Sequence, residues 1–320
     1  MSSRLVMKQT WNLFWTYPRF WFQVLAVIFV PMCVFQFGAF ILQADMQAAM
    51  FEDVSEGSFP TQFPQTFSSF MGYYSIFMVA YWALSLVTRG VVVEGVGQTA
   101  SNKDVSISAL LPSVWPKVSR VAGIDLVLVG PLLIVYAVLY FMMFQELQPL
   151  FSAFPEEGMA EPSASFFALI PLAVCSTIIL VIPLTAWTLF SSNAAILADL
   201  DLFSSLRVGV QFLREHLSSI IRLALLYIAI SIIIGIAFAI VTAPLAFMSV
   251  RPAQQAMMEC ISNAGESREA INACVQQLQQ GIRLGPVQII SGLINTLMNS
   301  AMTLVLLMST SLLFYRLRIG

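Results

Sequence analysis

The sequence predicts an all-α integral membrane protein with six transmembrane helices. They form three parallel two-span repeats, each begun by an interfacial helix on the cytoplasmic side. Three observations carry this prediction. Of 320 residues, 58% are hydrophobic and only 10% charged, against about 25% charged in a soluble domain. The mean hydropathy of +0.84 agrees. Apolar runs of spanning length recur along the whole chain, and basic and acidic residues sort into alternate connections.

A helix needs about 20 apolar residues to cross the hydrocarbon core. The six runs are Phe20–Leu42, Phe70–Val93, Val121–Phe144, Phe166–Phe190, Ile220–Val250 and Val287–Tyr315. The first follows Arg4, Lys8 and Arg19 as a signal peptide would. Its apolar run is too long and no small-residue cleavage site follows, so it reads as a retained anchor. Pro31, Pro131, Pro171, Pro183 and Pro244 lie inside runs. Membrane helices tolerate this because neighbouring helices re-satisfy the freed carbonyls. Residues 1–320 are expected to form one six-helix domain, with 251–286 inserted as an external loop between spans five and six.

Charge sets the orientation. Arg4, Lys8 and Arg19 precede the first span; Arg89, Lys103, Lys117 and Arg120 lie between the second and third. Arg207, Arg214 and Arg222 lie between the fourth and fifth, and Arg316 and Arg318 follow the sixth. This puts 12 of 15 basic residues on one side. The Gln43–Ser69 and Gln145–Ser165 connections hold acids and no Lys or Arg. Basic connections stay inside, so both termini are expected in the cytoplasm of a bacterial or archaeal cell, with the chain in its inner membrane. All six tryptophans (Trp11, Trp15, Trp21, Trp82, Trp115 and Trp187) fall on the same half.

Three inner segments resemble one another: Leu5–Pro18, Val105–Ser119 and Leu202–Ser218. Each has apolar residues at helical spacing, and Arg19, Arg120 and Arg222 follow them. They read as interfacial helices on the inner leaflet. Repeats with two spans have the same topology and are parallel.

The Arg251–Pro286 loop reads as two helices, Pro252–Asn263 and Arg268–Gln280, with Gly265 as breaker and Ser267 as cap. Antiparallel, they bring Cys260 towards Cys274, and an external loop is oxidising enough for a disulfide. Closing about 15 residues contributes roughly 3 kcal/mol in the chain-entropy account. Cys33 and Cys175 lie within spans and read as reduced core residues.

The stretch Asn193–Ile234 resembles the signature of the glycerophosphoryl diester phosphodiesterase membrane-domain superfamily. Asp199 and Asp201 match its acidic turn, Ser205, Leu206 and Arg207 the opening of its amphipathic helix, and Leu312–Arg318 its aromatic-basic ending. The resemblance concerns the six-span body. The catalytic barrel that follows it in some members has no counterpart in these residues, so the resemblance implies no phosphodiesterase activity.

Motifs for chemistry are few. The net charge of −2 gives no bulk attraction to nucleic acid. His216 is the only histidine and makes no zinc site. Glu94–Lys103 has spaced glycines but lacks the ending of a phosphate-binding loop, and no GxSxG elbow occurs. No cofactor, no metal and no catalytic residue is expected.

What remains is charge near the membrane. Arg89, Asp125 and Arg222 lie about one turn inside spans two, three and five, where a charge is costly and is paired or functional. Asp125 either pairs with Arg89 or Arg222, or these groups snorkel to the interface. Arg89, Lys117, Arg120, Asp125, Arg207, Arg214 and Arg222 are the candidate lipid- or partner-binding residues. Ser291, Asn295 and Asn299 share one face of span six and form a candidate polar seam.

The expected function is non-enzymatic: binding of anionic lipid or a membrane-protein partner, or self-assembly, as a scaffold or accessory subunit of a membrane complex. The rival is a transporter or channel for a small or lipidic solute, lined by Asn295, Asn299, Ser176 and Thr177. Alkylation without reductant is expected to leave the Cys260 and Cys274 peptides unmodified; a mass shift on both removes the disulfide.

Overall fold

Hydrophobic runs of this length admit helices, and the computed structural model is almost entirely helical where it describes the chain. It describes residues 3–55, 63–135, 138, 142, 180–263 and 286–319, with no strand among them. The helices are α1 (Ser3–Thr16), α2 (Pro18–Ser55), α3 (Phe63–Ala100), α4 (Ile107–Leu128), α5 (Ile182–Leu197), α6 (Leu202–Asn263) and α7 (Pro286–Phe314), followed by a π-helical turn, Tyr315–Ile319.

Among the described residues four stretches are long and apolar enough to cross a membrane: Pro18–Leu42, Gly72–Ala100, Leu202–Ile240 and Ile289–Ile319. They match expected spans one, two, five and six. Residues 166–179 of span four, among them Cys175, Ser176 and Thr177, and 136–137, 139–141 and 143–144 of span three lie outside the described residues. So do Arg268–Gln280 and Cys274, while Cys260 falls on α6.

Element boundaries differ from the sequence reading for identifiable reasons. The expected interfacial segment Val105–Ser119 does not stop before span three; α4 runs on from it into the first part of that span, to Leu128. Ser106 caps it, its hydroxyl accepting from the Ala109 amide. The helix stops at Leu128 instead, and helical backbone resumes at 130–135. Pro131 has no amide to donate and crowds the backbone before it. Segment Leu202–Ser218 and span five also form one helix, bent where His216 leaves helical geometry at φ −119°, ψ 19°. At its start the Ser204 amide donates to Asp201 Oδ2. Hydrogen bonds from Ser204 hold the Asp201 carboxyl below its usual range.

The chain gathers into two compact units, Met1–Ile28 with Ala83–Tyr227 and Thr303–Gly320, and Phe29–Trp82 with Ile228–Met302. In the first unit Val6 of α1, Phe190 and Ala194 of α5, Phe212 and Leu223 of α6, and Leu313 and Phe314 of α7 share one buried cluster. A second cluster joins Ile124 and Leu128 of α4 to Ala195 of α5 and Leu206 of α6. Glycine permits the closest approach. A Cβ on Gly209 of α6 would overlap Ser191 Oγ of α5 and lie 2.9 Å from the Ser191 backbone nitrogen.

In the second unit α2 and α7 meet through small and polar side chains. Thr296 hydrogen-bonds the Gln36 side chain, Ser300 Oγ lies 3.2 Å from Met32 Sδ, and Gly292 faces Phe37. Spacing of four residues puts Gly292, Thr296 and Ser300 on one face, the small-residue packing by which apolar helices associate in lipid. Phe35 of α2 stacks on Tyr81 of α3 at 5.7 Å.

Gly209→Ala forces two helix backbones apart and is expected to destabilise by about 1–3 kcal/mol. Gly235, with nothing within 4 Å of its Cβ position, should instead become about 0.5–1 kcal/mol more stable as alanine. Thermal melts of both variants in one detergent check the pair.

Candidate functional site

Three helices of the first unit carry the charged residues singled out in the sequence, and the fold brings several of them together. Arg89 sits on α3 after Thr88, and Asp125 on α4 one residue after the buried Ile124. Arg89 Nη1 donates to Asp125 Oδ1 at 2.7 Å. The same nitrogen lies 3.4 Å from Ser192 Oγ of α5. The side chains are only 17% and 7% exposed, so neither snorkels freely to water. Gly90 makes the approach possible, since a Cβ there would overlap Val114 of α4.

Two turns back along α4, Lys117 Nζ donates to Glu94 Oε2 of α3 at 3.1 Å and to the Ile196 carbonyl of α5 at 2.8 Å. The last carbonyls of a helix lack intrahelical donors and attract a cation. Lys117 therefore closes the end of α5 while pairing with α3. Arg120 donates to Asp199 Oδ1 at 2.7 Å and to the Leu200 carbonyl at 3.3 Å. Asp199 takes the left-handed conformation, φ 50°, which aspartate tolerates better than most residues. The acidic turn seen in the sequence is thus a connector: Asp199 receives α4, and Asp201 caps α6.

The seven candidate residues therefore divide. Arg89, Lys117, Arg120 and Asp125 make ion pairs within the first unit. Arg207, Arg214 and Arg222 are exposed on α6 and have no ion pair among the described residues. For Asp125 the ion-pair partner is Arg89, on the neighbouring helix.

The candidate seam of α7 also divides. Asn299 Nδ2 donates to Asn295 Oδ1 on the same helix at 3.5 Å, and Asn299 is exposed. One residue further on, Thr296 and Ser300 are buried and make polar contacts of α7 in the second unit. In the first unit such contacts are made by Ser309 with Thr10 of α1, at 3.3 Å, and by Ser311, which donates to Asn193 Oδ1 of α5 at 3.1 Å. The available signal for this was the small-residue spacing along α7.

The outward faces are basic and aromatic. On α1, Arg4, Lys8, Trp11 and Trp15 are exposed at helical spacing, opposite buried Val6 and Thr10. On α6, Phe203, Arg207, Arg214 and Leu217 do the same. Trp115 is exposed on α4. Trp21 is fully buried, while Trp82 and Trp187 are half-buried, and Trp187 donates to the Leu206 carbonyl at 3.0 Å. Among the described residues no group of three or more His, Cys, Asp or Glu could hold a metal.

No protein-family model, curated protein or solved structure matches the chain.

Removing one partner of a buried ion pair strands the other, a loss of about 3–5 kcal/mol. Arg89→Met and Asp125→Leu are each expected to lower the melting temperature sharply. The double variant should recover most of that loss, as in a coupled double-mutant cycle. Additive losses would show that the pair is not coupled.

Proposed function

We propose that the chain is a non-enzymatic polytopic protein of the cytoplasmic membrane, crossing it six times with both termini inside. In this reading the basic face of its first unit binds anionic lipid. A protein so anchored serves as a scaffold or accessory subunit of a membrane complex.

One observation carries the reading. Twelve basic residues lie in the first unit, and three of them, Arg89, Lys117 and Arg120, are taken up in ion pairs. The other nine, Arg4, Lys8, Arg19, Lys103, Arg207, Arg214, Arg222, Arg316 and Arg318, are exposed. No acid among the described residues forms an ion pair with any of them. Exposed Trp11, Trp15 and Trp115 stand among them. Tryptophan favours the headgroup level, and each Lys or Arg near an anionic leaflet adds about 1 kcal/mol of attraction.

In mild detergent, phosphatidylglycerol is expected to raise the melting temperature and be retained in native mass spectra, while phosphatidylcholine does neither. Replacing Arg207, Arg214 and Arg222 together by Gln should weaken phosphatidylglycerol binding roughly a hundredfold. Equal responses to the two lipids, or an unaffected triple variant, would reject the reading.

A further inference from the structure

Four of the nine exposed cations are drawn to one end of the first unit. The Ser101 and Tyr315 hydroxyls lie 3.0 Å apart, which joins the α3–α4 turn to the C-terminal π-helical turn. That turn is tight. Asn102 takes φ 56°, and the amides of Ser101 and Lys103 both bond the Gln98 carbonyl. Lys103 is therefore fixed beside the segment that carries Arg316 and Arg318.

The start of α1 reaches the same end. Thr10 Oγ1 lies 3.3 Å from Ser309 Oγ, and Ser309 Oγ lies 3.4 Å from Met7 Sδ. Val6 shares its buried cluster with Leu313 and Phe314. Residues run down α1 as they run up α7, so the two helices are antiparallel. Thr10 back to Arg4 and Ser309 on to Tyr315 are equal steps, each about 9 Å at 1.5 Å per residue. Arg4 comes level with the C-terminal turn.

We propose that Arg4, Lys103, Arg316 and Arg318 form a site for the phosphomonoester headgroup of a membrane lipid. All four are exposed, and none has an ion pair among the described residues. The nearby acid, Asp104, is exposed and likewise unpaired there. Like charges gathered at one end of a unit repel, and an anion of higher charge relieves this more. A phosphomonoester carries about −1.5 to −2 at neutral pH, more than the single charge of a diester. Arginine meets its oxygens with paired N–H donors. Arg4 begins the exposed stripe that continues through Lys8 to Trp11 and Trp15. Those tryptophans favour the headgroup layer, which selects a lipid over a free phosphate.

This rests on the anionic-lipid reading above, and one experiment separates the two. The full-length protein in mild detergent is titrated with phosphatidic acid, phosphatidylglycerol, phosphatidylcholine and soluble glycerol phosphate, with melting temperature and native mass spectrometry as readouts. Phosphatidic acid is expected to bind more tightly than phosphatidylglycerol, and glycerol phosphate not to displace it. Lys103→Gln/Arg316→Gln should weaken phosphatidic acid roughly twentyfold and erase its preference. Arg4→Gln/Arg318→Gln should act likewise. The Arg207, Arg214 and Arg222 variant should keep the preference. Equal binding of both anionic lipids, a preference surviving both double variants, or full displacement by glycerol phosphate overturns this site alone. Binding of neither anionic lipid overturns both readings.

Discussion

The pairing of Arg89 with Asp125 constrains much of the first unit. Either charge alone inside an apolar helix bundle would be strongly unfavourable. At 2.7 Å, with Ser192 beside the guanidinium, each satisfies the other only if α3, α4 and α5 keep one register. A slip of one turn would move a partner about 5 Å and leave two buried charges. The close glycine contacts follow the same register: Gly90 on Val114, Gly95 on Phe20, and Gly97 on Leu197. Lys117 adds a second tie, since it can reach Glu94 and the Ile196 carbonyl together only in that arrangement. Dispersion and small-residue contacts give the unit its packing, while the ion pairs exclude other packings.

The same network explains why the three inner segments are unlike despite their related sequences. In α1 and the start of α6 the basic residues face outward beside exposed aromatics. In α4, Lys117 and Arg120 turn inward to α3 and the α5–α6 connection, leaving Trp115 and Leu111 exposed. One segment thus spends its cations on holding helices together, and the other two leave theirs exposed. A sequence reading that treats all three alike does not foresee that Lys117 and Arg120 enter ion pairs.

Helix existence and type were legible because long apolar runs with few charges admit little else. Boundaries were not. Nothing local distinguishes an interfacial helix that stops at Ser119 from one that continues to Leu128, and the break at Val129 depends on how the chain accommodates Pro131. The polar run Ser191, Ser192 and Asn193 looked like the end of span four. It is buried helix because Gly209 and Ser311, far away in sequence, close over it. For Asp125, the residues that matter were legible but the choice between Arg89 and Arg222 was not. Both lie at a similar depth, and only the packing of α3 on α4 decides. Polar contacts along α7 show the same limit. The eye goes to asparagine, yet the buried positions belong to threonine and serine, whose small side chains let helices approach while their hydroxyls bond locally.

Charge asymmetry in this chain is then more than a topological signal. If cations were needed only to retain connections on one side, their exact positions within each connection would be free. Here they are not. Lys117 sits where the α5 carbonyls end, Arg120 where Asp199 turns back, and Arg89 opposite Asp125. Those three meet fixed negative partners and stay within the unit. Among the remaining cations, Lys103 follows a tight turn and Arg316 follows Tyr315, which meets that turn, but none has an acid in an ion pair among the described residues. Cations placed in this way, with their countercharge left to the surroundings, support the proposed binding of an anionic surface. On physical grounds that is the strongest argument for placing the function of this protein on its basic face.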